Sequence, residues 1–312
     1  GATLVSSVAD LTSALANTAV AHMVLMPGTY FLSGELSVTR SIVIEAVVAG
    51  SVVLHAQASA SSSRRVLYVS PGPSGVVQLI GLNITGGFTY YFGGGVYVNS
   101  GTVTLSLCTI SGNTANPSFW ANAQTFGGGV FVYSGTVTIT SSSIYGNTAY
   151  DGYNSAYQNG PCMSCSGYGS GVAVFGGTVT ISSCTISGNT AGSGDGGVFV
   201  NSGKVAFMSY QIHNNGNKNV RVAAGATACS FGMILIGLVG VFSLPGTPTA
   251  TSASALPLAT RALTSSCPSS TSVSTGTPTV APSLTTTAQP AAALALTAAS
   301  LALATAALIA AA

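Results

Sequence analysis

Aromatic side chains are concentrated in the segments that separate near-identical glycine-rich stretches of this chain, and at strand positions beside those segments. Uncharged rings surrounded by Asn and Gln can stack on sugar rings or hold a protein partner. They can equally pack on each other, because large apolar side chains become buried where they can. The side chains that we expect to form a surface for a carbohydrate or a cell-surface protein are Tyr97, Phe119, Trp120, Phe126, Phe131, Tyr150, Tyr153 and Tyr157.

Acid–base catalysis needs carboxylates in pairs, and this chain has only 5 Asp and Glu residues among 312. Asp151 and Asp195 are the only acids near the aromatic segments, and the sequence contains no oxygen-rich calcium motif. The histidines His22, His55 and His213 share no motif spacing. The sequence therefore favours a non-enzymatic protein without a metal or cofactor, and it leaves the question of an enzyme open.

The composition restricts the class of partner further. Charged residues make up 4% of the chain and the formal net charge is +2. Such a chain has no basic footprint for nucleic acid. Its surface must be covered by Ser, Thr, Asn and Gly, which suits an extracellular protein at the cell surface.

The elements that must position the aromatic residues belong to a repeat. One unit occurs at Gly93–Ala115, Gly127–Ala149 and Gly169–Ala191, and a degenerate copy follows at Asp195–Asn217. The first copy reads GGGVYVNSGTVTLSLCTISGNTA. The copies are separated by inserts of different length at one point of the unit. This pattern is typical of a solenoid, in which loops grow from one corner of a repeated coil.

Within each unit, apolar residues alternate with other residues, as they do in a half-buried strand. Three such runs, joined by Gly-containing turns, predict three short strands per coil of a parallel β-helix. Stacked coils lie about 4.8 Å apart, so that each strand pairs with its copy above and below. The residues that we expect to point inward are Val96, Val98, Val103 and Ile110 with their counterparts Val130, Val132, Val137, Ile144, Val172, Val174, Val179, Ile186, Val198, Val200, Val205 and Ile212.

The pattern resembles the right-handed parallel β-helix of the pectin-lyase-like superfamily. More narrowly, Gly94-Gly95-Val96 and Ile110-Ser111-Gly112-Asn113, with their counterparts, are similar to the repeats of polymorphic outer membrane proteins. The resemblance covers roughly residues 1–220. It implies an all-β, right-handed, single-stranded parallel β-helix whose open end is capped by a short amphipathic helix, here Ser7–Ala16.

Family enzymes on this fold usually work on the outward face of the strand after the long loop, where they carry several acids. The matching positions in this chain hold no carboxylate, which favours the non-enzymatic interpretation; a polysaccharide lyase or hydrolase of this superfamily is the alternative. Those positions are Tyr97, Asn99, Phe131, Tyr133, Ala173, Phe175, Phe199 and Asn201.

Two further sets of residues recur in register. Asparagines after the third strand predict a structural ladder, because stacked turn asparagines can satisfy backbone amides at a bend. Threonines on the second strand resemble the regular ranks of ice-binding proteins, which makes ice binding a second alternative. The asparagines are Asn113, Asn147, Asn189 and Asn215, and the threonines are Thr102, Thr104, Thr136, Thr138, Thr178 and Thr180.

The cysteines divide into two kinds. Cys108 and Cys184 share a register but lie two coils apart, which is too far for a disulfide, so we expect buried thiols. Cys162 and Cys165 lie in the longest insert, where a disulfide, either local or to Cys229, is favoured over zinc.

The sequence contains one N-glycosylation sequon, Asn83-Ile84-Thr85. Asn83 alternates outward from Ile84, as a glycan acceptor should.

The chain divides into three parts by composition. Residues 1–242 form the β-helix domain, with regular coils at 93–217 and a terminal apolar strand or cap at Met233–Phe242. Residues 243–290 are rich in Ser, Thr and Pro and predict a disordered stalk. Residues 291–312 are uncharged and hydrophobic, which predicts a helix. This helix would be a glycosylphosphatidylinositol (GPI) signal or a transmembrane anchor. In either case, we expect the tail to tether the protein to a membrane.

Overall fold

The structure, a computed structural model, describes residues 1–117, 124–151, 167–192, 195–216 and 218–231. The predicted terminal segment Met233–Phe242, the stalk and the hydrophobic tail lie outside the described residues, so their predicted structures remain predictions.

A single short helix follows the first strand in the described part of the chain. Helix α1 (Val8–Ala16) begins after Ser7, whose side-chain oxygen accepts a hydrogen bond from the Asp10 backbone amide at 3.1 Å. Leu11 and Ala14 are buried on its inner face. The structure thus confirms the helix predicted over Ser7–Ala16. The strands of the irregular N-terminal coils are β1 (Thr3–Val5), β2 (His22–Leu25), β3 (Gly28–Phe31), β4 (Leu36–Val38), β5 (Ile42–Ala46), β6 (Val52–His55), β7 (Leu67–Val69), β8 (Val76–Ile80), β9 (Leu82–Thr85) and β10 (Phe88–Thr89).

The repeat units, the inserts between them and the segment after the last unit supply the remaining strands. In chain order they are β11 (Val96–Val98), β12 (Thr102–Ser106), β13 (Thr109–Ser111), β14 (Thr114–Ala115), β15 (Thr125–Phe126), β16 (Val130–Val132), β17 (Thr136–Thr140), β18 (Ser143–Tyr145), β19 (Thr148–Ala149), β20 (Gly167–Tyr168), β21 (Val172–Val174), β22 (Thr178–Ser182), β23 (Thr185–Ser187), β24 (Thr190–Ala191), β25 (Val198–Val200), β26 (Lys204–Met208), β27 (Gln211–His213), β28 (Val220–Val222) and β29 (Thr227–Phe231).

These strands form five sheets, and every pairing between them is parallel. Sheet A has nine strands in the order β1-β2-β5-β8-β12-β17-β22-β26-β29. Sheet B has the order β3-β6-β9-β13-β18-β23-β27, and sheet C has the order β4-β7-β11-β16-β21-β25-β28. Sheet D is β10-β14-β19-β24, and sheet E is the pair β15-β20.

Each repeat therefore contributes one strand to sheet C, then to A, to B and, in the first three copies, to D before the next coil begins. This arrangement of parallel strands in stacked sheets is consistent with a parallel β-helix-like solenoid. The prediction of three strands per coil was incomplete. In the first three repeats a fourth strand of two residues, part of sheet D, follows the asparagine that recurs after sheet B. Two residues are too short to show the alternation by which strands are recognised.

The core lies inside the coils and follows the predicted alternation. Val96 and Val98 are fully buried and pair with Val130 and Val132 of the next coil. Likewise, Ile110 pairs with Ile144, which is also fully buried. All the residues expected to point inward are 5% exposed or less, so the structure confirms that part of the prediction.

The turn between sheets C and A requires glycine. At Gly135 the backbone φ is +100°, a conformation that side chains with a Cβ atom rarely adopt. A Cβ atom at this position would lie 2.4 Å from the carbonyl oxygen of Gly101 in the preceding coil. Neighbouring coils can therefore approach this closely at the turn only because position 135 is a glycine.

A column of buried asparagines runs along the stack. The Asn147 backbone amide and Nδ2 both donate to the side-chain oxygen of Asn189, at 3.0 and 2.9 Å. The Nδ2 also donates to the Ile110 carbonyl in the preceding coil at 2.9 Å. Asn113, Asn147, Asn189 and Asn215 are each 0% exposed. The column therefore satisfies buried backbone groups at the bend after sheet B, as stacked turn residues can.

Candidate functional site

An aromatic rank runs across the outward face of sheet C, along the direction in which the coils stack. The central residues of the strands are Cα partners in neighbouring coils. Ring centroids are 5.5 Å apart for Tyr68 and Tyr97, and 5.0 Å apart for Tyr97 and Phe131. The members of this rank, in coil order, are Tyr68, Tyr97, Phe131, Ala173 and Phe199.

A second rank lies beside the first, at the residue that follows each strand of sheet C. The backbone amide of Tyr133 donates to Val98 in the preceding coil, and that of Phe175 donates to Val132. The backbone amides of Ser70, Asn99 and Asn201 make the equivalent hydrogen bonds in the other coils, so that polar residues lie at both ends of this rank. In coil order the second rank is Ser70, Asn99, Tyr133, Phe175 and Asn201. We call the two ranks together the sheet C aromatic surface.

The small two-stranded sheet E covers part of this surface. Its strands bring the rings of Phe126 and Tyr168 to 5.6 Å from each other. Tyr168 lies 5.0 Å from Phe199, and Phe126 lies 4.6 Å from Phe175. The first two inserts therefore end in short aromatic strands, β15 and β20, that pack on sheet C.

This packing corrects the expected exposure of two residues. Phe126 is 6% exposed and Phe131 is 2% exposed, so neither ring is open to a ligand in this structure. Both belong to a second apolar cluster, outside the coils, with Ala173 and Phe199. This packing is the alternative to a ligand surface that the sequence left open. Apolar rings that can reach each other exclude water from between them.

Other rings of the surface remain accessible. Tyr133 is 55% exposed, while Tyr68, Tyr97 and Phe175 are half-buried. The hydroxyls of these tyrosines, and the side chain of Asn201, make no hydrogen bond with the described part of the chain. Burial raises the pKa of Tyr97 above its ordinary value of 10.0, against the lowering effect of the Arg65 charge, so its hydroxyl stays protonated at neutral pH. The surface thus combines ring faces with unpaired hydroxyl and amide groups.

The sequence placed other aromatic residues at this site, with mixed outcomes. Tyr150 is 50% exposed and makes no ring contact within the described residues. Phe119, Trp120, Tyr153 and Tyr157 lie outside the described residues, so their predicted role remains a prediction. Tyr68 was missed, although Leu67-Tyr68-Val69 repeats the pattern of the first strand in the regular units.

An arginine lies at each end of the aromatic surface. The Arg65 guanidinium lies 4.8 Å from the centre of the Tyr97 ring and donates to Glu35 Oε2 at 3.0 Å. At the other end, Arg221 lies 4.9 Å from the Tyr168 ring and 3.2 Å from Asp195 Oδ2. Both guanidinium groups therefore face an aromatic ring and a carboxylate at once.

The acids near the surface have structural partners. Asp151 Oδ1 accepts a hydrogen bond from the Gly167 backbone amide at 2.8 Å, which joins the two ends of the longest insert. Asp195 is 3% exposed and lies between Arg221 and Lys218. Within the described ranges, no three His, Cys, Asp or Glu side chains are grouped as a metal ion would require.

The histidines lie apart from the aromatic surface. His22 Nε2 is 3.1 Å from Glu45 Oε2 on the neighbouring strand of sheet A. His55 Nδ1 accepts a hydrogen bond from the Gln57 backbone amide, and its ring packs 5.6 Å from Phe31. His213 ends strand β27 of sheet B. These contacts place the three side chains on two other sheets and do not bring them together.

The threonine ranks lie on the outward face of sheet A. Cα pairing aligns one rank at the first strand position and another two residues later, over three coils. The first rank is exposed and the second is half-buried. The ranks end at Val76 and Gln78 on one side and at Lys204 and Ala206 on the other. The threonines so aligned are Thr102, Thr136 and Thr178, and then Thr104, Thr138 and Thr180.

The two cysteines in the repeats are free and buried, as the sequence predicted. Burial raises the pKa of the Cys108 thiol to about 11, and burial likewise raises that of Cys184. Cys162 and Cys165 lie outside the described residues, and so does the side chain of Cys229.

Asn83 lies on the outward face of sheet B. It is half-buried there, and its Nδ2 donates to the Gly50 carbonyl at 2.8 Å. A glycan at this position remains a prediction.

No protein-family model matches the chain, and searches of curated proteins and of solved structures find no match. In the ranges that the structure describes, no helix has the length and hydrophobicity needed to cross a bilayer.

Proposed function

We propose that this chain is a non-enzymatic adhesion protein that binds glycan or cell-wall polysaccharide on the sheet C aromatic surface. The observation that supports this proposal is the row of accessible rings on successive coils, with Tyr133 as its most exposed member at 55%. Aromatic rings with a polar tip are well suited to bind a ligand that is apolar on one face and hydroxylated at its edge. A cell-surface protein that presents such a face to the same aromatic rings is the alternative partner.

The chemistry of the surface favours binding over catalysis. A lyase or hydrolase needs a general acid and base, and the sheet C aromatic surface presents Tyr, Phe, Asn and Ser in their place. The carboxylates near this surface, on Glu35, Asp151 and Asp195, already bind a cation or an amide within the protein. A polysaccharide-degrading enzyme is therefore the weaker of the two proposals.

We further propose that the stacked sheets form a right-handed, single-stranded parallel β-helix of the pectin-lyase-like kind, with repeats related to those of polymorphic outer membrane proteins. In support, every sheet pairs the same strand of successive coils in a common register, and the helix α1 lies at the N-terminal end of the stack. Crossovers between parallel strands strongly prefer the right-handed form.

An extracellular location follows as part of the proposal. The low charge of the chain, the sequon at Asn83 and the insert cysteines Cys162 and Cys165 are in keeping with it. The hydrophobic tail at 291–312 would tether the protein to a membrane, as a GPI signal or as a span. Release by a phosphatidylinositol-specific phospholipase would distinguish the two, because a transmembrane anchor resists that enzyme.

The outward threonines supply a second candidate, which is ice binding. Three strands of sheet A hold their hydroxyls in one register, with Ser106, Thr140 and Ser182 as a third rank. A β-branched side chain is stiff, so these hydroxyls keep a regular spacing. Thermal hysteresis that is lost on Thr138→Lys and kept on Thr109→Lys, which lies on sheet B, would support this function; its absence in the parent protein would exclude it.

The adhesion proposal is tested by binding of the full-length chain to a glycan array. We expect binding by the parent protein and by Tyr145→Ala, but not by Tyr133→Ala. Tyr145 is a matched control, because it belongs to the same coil and is 48% exposed, but it lies on sheet B. Equal binding by both variants would show that glycans are held elsewhere, and no binding by the parent would remove the glycan from the proposal.

A further inference from the structure

Each of the two arginines beside the sheet C aromatic surface is paired with a carboxylate within the protein. Arg65 and its partner Glu35 are 24% and 27% exposed at their side chains, so solvent and ligands reach them only in part. At the other end, Asp195 is bound by Arg221 at 3.2 Å and approached by Lys218 at 3.9 Å. The Arg65 end of the surface is therefore close to neutral, whereas the Arg221 end keeps an excess positive charge, because one carboxylate faces two cations that are each 40% exposed.

The coils between these ends are almost free of charge. From Val66 to Gly194 the sequence contains a single Asp, Glu, Lys or Arg residue, Asp151. Its carboxylate accepts a hydrogen bond from the Gly167 backbone amide and so connects the two ends of the longest insert. Thus, residues 66–194 supply no Lys or Arg side chain that could pair with an anionic ligand.

An anionic ligand would be poorly bound on such a surface. The face of an aromatic ring carries partial negative charge, which repels a carboxylate placed above it. Removing water from that carboxylate is costly when no cation takes its place. An uncharged sugar avoids both costs, since its C–H face can lie on a ring while its hydroxyls bond to the Tyr133 hydroxyl or the Asn201 side-chain amide, which have no hydrogen-bond partner among the described residues.

Resting on the proposed function, we infer that the ligand is an uncharged polysaccharide that lies extended along the stack of coils. The accessible rings succeed one another in that direction: Tyr68, Tyr97 and Tyr133 occupy three consecutive coils, and Phe175 occupies the fourth. Neighbouring coils are about 4.8 Å apart. A ligand that lay along a strand would meet only one coil, whereas a ligand along the stack meets a ring on each coil. An acidic polymer such as a polyuronate would find no cation on these coils, and we expect it to bind more weakly.

The test is calorimetric titration of the full-length protein with two sets of oligosaccharides. The uncharged set contains gluco-, xylo-, manno- and N-acetylchito-oligosaccharides, and the acidic set contains oligogalacturonate and alginate oligomers. We expect an uncharged oligomer to bind at least about tenfold more tightly than any acidic one. Raising the salt concentration should change its affinity by less than about twofold, because no ion pair is screened.

Substitutions on two different coils test the direction of the ligand. Tyr68 and Tyr133 lie two coils apart, about 9.6 Å along the stack, so that Tyr68→Ala and Tyr133→Ala should both weaken an uncharged oligomer of several sugar units. Tyr145→Ala is the control and should leave the affinity unchanged. Loss of affinity with only one of the first two substitutions would overturn the proposed direction, because a ligand along a single strand meets only one of these rings.

Two outcomes separate this inference from the function on which it rests. Binding of oligogalacturonate or alginate that weakens with salt and is lost in Tyr133→Ala would overturn the uncharged ligand, while glycan binding by this surface would stand. Binding of neither set would overturn both.

Discussion

The side-chain oxygen of Asn147 accepts two hydrogen bonds from Asn113, one from its backbone amide at 3.1 Å and one from its Nδ2 at 3.0 Å. Both residues are completely buried, so water cannot replace either bond. The two asparagines belong to neighbouring coils, and the pair therefore joins one coil to the next inside the protein.

The first prediction concerns this contact. Asn147→Ala leaves the Asn113 amide and the Ile110 carbonyl without their partners, and should lower the free energy of unfolding by about 2–4 kcal/mol. Asn201→Ala removes an exposed side chain and should change it by less than about 0.5 kcal/mol. Urea denaturation of both variants measures the difference. Equal midpoints would show that the asparagine column adds nothing to stability.

The second prediction concerns the close approach of coils at a glycine. Gly135→Ala places a Cβ atom 2.4 Å from the Gly101 carbonyl oxygen and also forces a positive φ on alanine. Gly146→Ala has a similar φ problem, at +61°, but no atom within 4 Å of the new Cβ. The control should therefore lose about 1–2 kcal/mol, the cost of the left-handed conformation, and Gly135→Ala should lose clearly more. The prediction is wrong if thermal unfolding ranks the two variants in the opposite order.

The third prediction concerns the buried thiols at high pH. The pKa of Cys108 rises from an ordinary 9.0 to about 11 in the folded protein, because burial disfavours the thiolate. The folded state thus keeps a proton that the unfolded state loses, so that stability falls as the pH rises from 9 to 11 and is unaffected below. The slope of this loss is about 1.4 kcal/mol per pH unit for one thiol.

Cys108→Ser tests this pH dependence with little disturbance, since Ser142 occupies the equivalent position of the next coil. The variant should lose less stability than the parent between pH 9 and 11, as measured by urea denaturation across that range. Parallel losses in the two proteins would mean that other groups, such as the tyrosines, account for the alkaline effect.

The fourth prediction concerns the aromatic cluster outside the coils. Ala173 is fully buried between Phe131 and Phe199 in the first rank, and Phe126 belongs to the same cluster. Phe126→Ala should cost about 3–5 kcal/mol. Ala173→Phe overfills the site and should cost about 1–3 kcal/mol.

The double variant shows whether Phe126 fills the space above Ala173. If it does, the new ring at position 173 takes the place of the missing one, and the double variant should be more stable than the sum of the single changes by about 1 kcal/mol or more. Strict additivity in chemical denaturation would mean that the two side chains do not share that space.

The regular coils could be predicted from the sequence because their structure repeats with it. Val96 and Ile110 are buried where alternation placed them, and Val76 and Gln78 pair with Thr102 and Thr104 despite their different residue types. Copies in a common register give several independent observations of the same position, which is more than a single strand offers.

The aromatic site was predicted only in part, for a physical reason. Alternation correctly placed Phe131 on the outer face of its strand, but it could not indicate that Phe126 and Tyr168 cover that face. The strands that carry these rings end inserts of unequal length, which have no repeat to reveal them. The pairing of Arg65 with Glu35 was missed as well, because it joins irregular early coils.

The matching register of the coils has a consequence for how this gene can change. Each inner coil presents the same strands and the same asparagine to the coil on either side, so that a whole unit can be added or removed with the remaining junctions intact. The number of coils, and with it the length of the stack, can therefore change by one unit at a time without a new kind of junction.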